Sequence, residues 1–157
     1  MKSKKPVKKD LVIVTVLTAL LVLFSRKSVG AEIELPSKAT LKVLYSAAKR
    51  YDVDAQSLIK IAFVESSFRA DARRVNVNGT VDYGMFQVNS IHWSTTCKKF
   101  NIFELKGNAL CAAKILARFK KHADTDLHWQ GRYHSSTPKR KIAYALKLAS
   151  IDFKGIK

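Results

Sequence analysis

The sequence predicts a mainly α protein in which helices surround a substrate cleft and one small β-hairpin lies near residues 74–83. In several separate segments, apolar residues recur at intervals of three and four, the spacing of amphipathic helices. One short segment instead alternates apolar and polar residues around Asn78–Gly79, which is a strong hairpin signal. No internal repeat or low-complexity linker divides the chain, and its length suits one compact domain.

Two helices are predicted before the hairpin. The first opens at Pro36–Ser37. Asp54 is a favourable N-cap for the second, which is expected to run to about Ser67. One stripe of this second helix contains Leu58, Ile61, Ala62 and Glu65. Glu65 is therefore expected in the last turn of a largely buried helix.

Three helices are predicted after the hairpin. Asn108 is expected to cap the first of them, which continues to about Lys121. The segment Leu127–Tyr133 has the composition of a short helix. Pro138 suits the first turn of a last helix that ends near Ile151.

Residues 1–31 have the layout of a secretory signal peptide. A lysine-rich head precedes the uncharged apolar run Leu11–Phe24, and Val29–Ala31 resembles a cleavage site. The run is shorter than the roughly 20 residues of a spanning helix, but the basic pair Arg26–Lys27 keeps an uncleaved membrane anchor as the alternative. We predict a signal peptide over 1–31, a single domain over 32–157 and a periplasmic location, with membrane contact only if the segment is not cleaved.

The chain is strongly basic, with a formal charge of +17 and a pI near 10.1. Seven basic residues and one acidic residue fall within the predicted signal peptide, so the remainder keeps +11. Such a charge suits nucleic acid, an anionic membrane or an acidic polymer. No groove-reading motif is present, and an exported protein rarely meets nucleic acid, so we expect no nucleic-acid partner. Lysines that only increase solubility are the alternative explanation.

Cys97 and Cys111 are the two cysteines of the chain. An even number in an oxidising compartment favours pairing, and a loop of this size would stabilise the fold by roughly 3 kcal/mol. The histidines show no ligand spacing with the cysteines. We therefore expect a disulfide and neither a metal nor an organic cofactor.

Three motifs occur in order along the chain: Val64–Phe68 (VESSF), Asp82–Ser90 (DYGMFQVNS) and Gly131–Pro138 (GRYHSSTP). The first two resemble the core of the lysozyme superfamily, both its soluble lytic transglycosylases and its c-type lysozymes. The third resembles the Tyr-Asn motif of transglycosylases, with His134 in place of the more usual Asn. It is most similar to that of the small transglycosylases that accompany type III and type IV secretion, conjugation and pilus machines.

The resemblance implies that Glu65 is the catalytic acid/base of an enzyme that cleaves peptidoglycan glycan strands. Such an acid must be protonated near neutral pH, which requires an apolar pocket or an unfavourable dipole. Phe63, Val64 and Phe68 are apolar neighbours of Glu65 in sequence, and the negative end of its own helix disfavours the ionised form. The basic surface is compatible with the carboxylates of peptidoglycan stem peptides.

The resemblance also implies a set of substrate-binding positions, each with a structural alternative. These alternatives are helix capping, a tight turn, loop hydrogen bonds and ordinary core packing. The positions are Ser66, Gly84, Gln87, Asn89 and Tyr133, the last of which would face the acid. Trp93 and Trp129 are equally consistent with sugar stacking and with the core.

Asp82 stands where c-type lysozymes keep a second carboxylate; lysozyme is also the standard example of such a pair. If Asp82 faces the cleft, it would stabilise the cation or form a covalent link, and water would complete hydrolysis. A transglycosylase needs no second carboxylate and yields a 1,6-anhydromuramyl product. The motifs around Ser66 and Tyr133 favour the transglycosylase. Lysozyme-type hydrolysis and a non-catalytic wall-binding assembly factor are the alternatives.

Overall fold

The structure is a computed structural model that describes residues 33–123 and 125–153, except for the side chains of residues 126 and 127. The predicted signal peptide lies outside the described residues. From Leu35 onward the chain forms one compact unit. In chain order its elements are α1 (Lys38–Tyr51), α2 (Ala55–Ser66), β1 (Arg73–Val75), β2 (Val81–Tyr83), β3 (Val88–Asn89), a 3-10 helix (Ser90–His92), α3 (Leu105–Lys121), α4 (Asp126–His134) and α5 (Pro138–Ala149). The predicted mainly α fold with a small β region is confirmed.

Local hydrogen bonds set the ends of α1 and α2. The Ser37 hydroxyl accepts a hydrogen bond from the Thr40 amide at 3.2 Å and caps α1. The Asp54 carboxylate accepts one from the Ser57 amide at 2.6 Å, which confirms the predicted cap of α2. Ser67 adopts a left-handed conformation (φ 52°) and ends α2. Glu65 consequently lies in the last turn of α2, as predicted.

The three strands form one antiparallel sheet in the order β1-β2-β3. Val75 pairs with Val81, so the hairpin loop contains the five residues 76–80 rather than a two-residue turn. The apolar-polar alternation around Asn78–Gly79 would include Val77 in the first strand; this prediction is wrong, because Val77 lies in the loop after β1 and is fully exposed. The third strand, which pairs Tyr83 with Val88, was not predicted because two residues carry no recognisable alternation.

Helix α3 begins four residues earlier than predicted. Its N-cap is Glu104, and Asn108 lies buried within the first turn. The Asn108 amide nitrogen donates to the carbonyls of Tyr83 (2.9 Å) and Ile102 (3.0 Å), and its oxygen accepts from the Phe86 amide (3.0 Å). The predicted capping role is therefore wrong: Asn108 fastens the loop after β2 to α3.

The helices pack as a bundle beside the sheet, with α1 against α2 and α3, α3 against α4, and α5 against α2 and α4. The predicted disulfide joins Cys97 to Cys111 on α3, and both cysteines are buried. Met85 and Phe86, between β2 and β3, are buried in the core. In the described part of the chain, no helix combines the length and apolar character required to cross a membrane.

Candidate active site

A cleft of about 530 Å³ lies where the sheet meets α2 and α4. It is lined by polar side chains of the sheet and its loop, by α2 and by the C-terminal part of α4. Of the predicted site residues, the cleft brings together Glu65, Asp82, Gln87, Asn89 and Tyr133. Ser66 and Gly84 are not among the described residues that line it. The fold therefore collects five predicted positions, which are spread over 69 residues of sequence, around one space.

Glu65 projects from the last turn of α2 into this cleft and is partly buried. Its Oε1 atom accepts a hydrogen bond of 2.5 Å from the hydroxyl of Tyr144 on α5. Burial raises the pKa of the Glu65 carboxyl above its ordinary value, and this effect exceeds the opposing effects of the Tyr144 hydrogen bond and the positive charge of Arg74. A raised pKa favours the protonated carboxyl, which is the form that donates a proton in general acid catalysis.

Tyr144 is a site residue that the sequence motifs did not indicate. It is buried, and its ring stacks on the imidazole of His134 at 4.8 Å between centroids. Burial and the nearby Glu65 carboxylate raise the pKa of the Tyr144 phenol far above its ordinary value, so the hydroxyl remains a donor. Burial, together with nearby arginines and Lys147, lowers the pKa of His134. The stacked pair holds the hydrogen-bond donor of Glu65 in place.

Tyr133, on α4, lines the same cleft as Glu65. Its hydroxyl donates to the backbone carbonyl of Phe86 at 2.8 Å, which ties α4 to the loop between β2 and β3. Burial and the Glu65 carboxylate raise the pKa of the Tyr133 phenol well above its ordinary value. The two tyrosines thus have different roles. Tyr144 donates a hydrogen bond to Glu65, and Tyr133 holds the loop between β2 and β3 against α4 at the side of the cleft.

Asp82 lies on β2 and is buried, and donors from three residues surround its carboxylate. Arg74 donates from Nε (3.2 Å) and Nη2 (2.7 Å), and the amide of Asn76 donates at 2.9 Å, all to Oδ2. The amide of Asn89 donates to Oδ1 at 2.6 Å. This network binds β1, the hairpin loop and β3 to β2, so Asp82 has a structural role whether or not it also contacts substrate.

Asn89 and Gln87 line the cleft but direct their amide nitrogens into the protein. Asn89 bonds Asp82, and its oxygen accepts from the Ile91 amide at 3.1 Å, capping the 3-10 helix. The nitrogen of Gln87 donates to the carbonyls of Ala72 and Gly84, each at 3.0 Å. Within the described residues the Gln87 side-chain oxygen has no hydrogen-bond partner. The side-chain oxygen of Gln87 is consequently better placed to contact a sugar than the side chain of Asn89, whose amide nitrogen and oxygen are both engaged. A sugar contact stays a prediction for both residues.

Ser66 and Gly84 act on the shape of the site. The Ser66 hydroxyl is buried and donates to the carbonyl of Met85 at 2.8 Å, which joins the end of α2 to the loop after β2. Gly84 has φ +79°, and a Cβ atom there would overlap the side chain of Asn108. These contacts give Ser66 a structural role and agree with the tight-turn alternative for Gly84, while the substrate-binding role of each residue stays a prediction.

The two tryptophans do not line the cleft. Trp129 is in the core at 3% exposure. The indole nitrogen of Trp93 donates to the Val88 carbonyl at 3.1 Å, and its ring packs against Phe103. Over residues 33–123 and 125–153, no group of three or more His, Cys, Asp or Glu side chains is arranged to hold a metal ion.

Comparison with known proteins agrees with this geometry. The sequence profile of the Transglycosylase SLT domain matches residues 42–145, more than half of the chain. The chain is 32% identical to Protein IpgF of Shigella flexneri over an alignment of 108 residues, and this alignment covers 66% of this chain and 71% of that protein. It is 28% identical over 117 residues to human Lysozyme-like protein 2, covering 65% and 76% of the two chains.

The matched region runs from α1 to α5 and contains the cleft, Glu65 and the tyrosine that bonds it. The matched profile covers more than half of the chain and therefore shows its family. The chain belongs to the SLT family of lytic transglycosylases, which are glycan-cleaving enzymes that act on peptidoglycan.

Proposed function

We propose that this protein is a periplasmic lytic transglycosylase that cleaves the β-1,4 bond between N-acetylmuramic acid and N-acetylglucosamine. The observation that carries the proposal is the state of Glu65: a partly buried carboxyl in an open cleft, with a raised pKa and a fixed phenol donor. A protonated carboxyl group of this kind supplies the proton that a glycosidic oxygen needs in order to leave.

The reaction needs one carboxyl group in two successive states. Protonated Glu65 donates its proton to the bridging oxygen, the bond from that oxygen to the muramyl C1 breaks, and an oxocarbenium-like centre forms. The Glu65 carboxylate then accepts the proton of the muramyl 6-hydroxyl while that oxygen bonds to C1. The 1,6-anhydro ring forms, water is not consumed, and Glu65 returns to its protonated state. Tyr144 can remain a donor throughout, since its pKa is far above neutral.

Lysozyme-type hydrolysis by Glu65 and Asp82 is the second candidate, favoured by one observation: both carboxyl groups line the same cleft. The three residues that donate to Asp82 weigh against it as the nucleophile. A nucleophilic carboxylate must direct a free lone pair at the sugar, whereas the lone pairs of Asp82 are largely engaged. We therefore favour the single-carboxylate mechanism.

Product analysis separates these functions. Purified sacculi are digested with the protein, and the soluble muropeptides are identified by mass spectrometry beside a muramidase digest of the same sacculi. The proposal predicts anhydromuropeptides, each 18 mass units lighter than its reducing counterpart because no water has been added. Reducing-end muropeptides alone would show hydrolysis instead. Binding to sacculi without any soluble product would favour the non-catalytic wall-binding role.

We assign the cellular role from the motifs. The third motif resembles that of small transglycosylases serving secretion, conjugation and pilus machines, and residues 1–31 have the layout of a signal peptide. Local opening of the wall for an envelope-spanning type III or type IV secretion, conjugation or pilus system is the role that fits both features. Fractionation of cells that produce the tagged protein, with periplasmic and cytoplasmic marker proteins as controls, tests the location.

A further inference from the structure

A second cavity, of about 360 Å³, adjoins the cleft on the side of α5. It shares Glu65, Arg74, His134 and Arg140 with the larger cleft and is completed on α5 by residues that include Lys147. A glycan strand that places its scissile bond at Glu65 within the larger cleft would have this second space beside the reacting sugar. The space is within the size range of small-ligand pockets.

The second cavity is positively charged. Arg140, Tyr144 and Lys147 are spaced by four and three residues and therefore share one face of α5. Arg74 is paired with Asp82, but within the described residues the exposed Arg140 and Lys147 form no salt bridge, although the charge of Lys147 acts on the Glu65 carboxyl. Glu65 is the sole acidic residue among the described residues that line the cavity. Two cations without a salt bridge, beside a single carboxyl group, thus point to an anionic ligand.

The lowered pKa of His134 agrees with this arrangement. After burial, its causes are the positive charges of Arg74, Arg140 and Lys147. These three cations therefore act together on one small region next to the catalytic carboxyl. The neutral imidazole adds a hydrogen-bonding group without adding further charge.

We infer that this cavity binds the carboxylate-bearing stem peptide of the muramyl residue at the cleavage site, with Arg140 and Lys147 as the carboxylate-binding groups. The inference rests on the proposed function, since the peptide is attached to the sugar that Glu65 attacks. Guanidinium and ammonium groups form charge-assisted hydrogen bonds with carboxylates. The N-acetylated sugar rings are neutral, so the carboxylates lie on the peptide or, where the peptide is absent, on the lactyl group. The volume favours a peptide over a single carboxylate.

The test compares two forms of one substrate. Sacculi are assayed at limiting concentration before and after carbodiimide amidation, which neutralises the peptide carboxylates and leaves the glycan intact. The parent protein is compared with an Arg140→Gln, Lys147→Gln double variant. Lys42→Gln, Arg50→Gln is the control, because it removes the same charge from exposed positions on α1 that line none of the cavities described above.

The expected readout is the ratio of rates on native and amidated sacculi. This ratio should be about ten for the parent and the control and about one for the double variant, as for the loss of two exposed charge-assisted contacts. A parent ratio of one, or the same ratio in the parent and the double variant, overturns the inference and leaves the proposed function standing. A parent that releases no muropeptide from either substrate overturns the proposed function itself.

A third substrate identifies the source of the carboxylate. Glycan stripped of its peptides by an amidase carries free lactyl carboxylates instead. The peptide assignment predicts that the double variant is closer to the parent on stripped glycan than on native sacculi. A larger loss on stripped glycan would assign the cavity to the lactyl group and overturn the peptide as its ligand.

Discussion

The hydroxyl of Tyr144 donates a 2.5 Å hydrogen bond to Oε1 of Glu65, across 79 residues of sequence. The bond joins the last turn of α2 to the middle of α5 and stabilises the ionised form of the acid. Burial acts in the opposite direction and has the larger effect. The pKa of the Glu65 carboxyl thus depends on the packing of two helices that are far apart in sequence and adjacent in space.

Removing this bond is expected to move the pH profile. In Tyr144→Phe the pKa of Glu65 rises further, because the bond that favours its ionised form is lost. The alkaline limb of kcat/KM, which reports loss of the Glu65 proton, should shift to higher pH by about one unit, the scale of a charge-assisted hydrogen bond. Tyr45→Phe on α1 is the control, at a partly exposed tyrosine outside the cleft. An unchanged limb, or a shift to lower pH, would show that the bond does not tune the acid.

The raised pKa of Glu65 also predicts a pH-dependent cost to stability. The pKa of Glu65 is higher in the folded state than the unfolded value of 4.5. Glu65 therefore does not lower the free energy of unfolding below pH 4.5, and its burial costs stability as the pH rises from there through the folded-state pKa. Glu65→Gln cannot ionise, so it should unfold at a higher temperature than the parent at pH 8 and at about the same temperature at pH 4. Each unit of pKa difference corresponds to about 1.4 kcal/mol.

Thermal unfolding at both pH values checks this prediction. Glu34→Gln reports the effect of the same chemical change at an exposed position. A Gln variant that is less stable than the parent at pH 8 would mean that the ionised carboxylate is stabilised where it lies.

Asp82→Asn separates the structural role of this residue from a catalytic one. An asparagine offers one acceptor oxygen where Asp82 accepts from three residues, and its amide group would face other donors. We expect a loss of about 1–3 kcal/mol, moderated by the exposure of Arg74. The folded variant should still release anhydromuropeptides when assayed well below its unfolding temperature. Unchanged stability in urea denaturation, together with complete loss of activity, would instead make Asp82 a reacting group.

The sheet and its prediction show what local sequence can reveal. Asn78–Gly79 marked the hairpin correctly, and Asp54 marked the start of α2, because turn geometry and helix capping depend on residues a few positions apart. Spacing within α2 likewise placed Glu65 on the correct turn. These features need no tertiary information.

Two features depended on contacts that no local pattern contains. Asn108 has the chemistry of a helix cap, yet its partners Tyr83 and Phe86 lie more than twenty residues away, and these bonds draw it inside α3. Tyr144 lies among the small and apolar residues of α5 and has the appearance of an ordinary core residue. Its function follows only from the packing of α5 against α2, which brings its hydroxyl to Glu65.

Gly79, in the loop between β1 and β2, is a matched control for Gly84, in the loop after β2. Gly79 and Gly84 have nearly equal backbone angles, φ +78° and +79°. A Cβ atom at Gly79 meets nothing within 4 Å, whereas one at Gly84 overlaps the Asn108 side chain. Gly79→Ala should therefore lose only about 1 kcal/mol to backbone strain. Gly84→Ala should lose about 2–4 kcal/mol, because it also disturbs the buried Asn108 hydrogen bonds. Equal losses in urea denaturation would mean that Asn108 moves aside without cost.

The most direct test of the role of Glu65 is the release of anhydromuropeptides from sacculi by Glu65→Gln, measured by mass spectrometry beside the parent and Glu34→Gln. The substitution keeps the acceptor oxygen for Tyr144 and removes the transferable proton. We predict no anhydromuropeptide above the enzyme-free blank for Glu65→Gln, and parental amounts for Glu34→Gln. Release by Glu65→Gln at the parental rate would contradict the assignment of Glu65 as the catalytic acid.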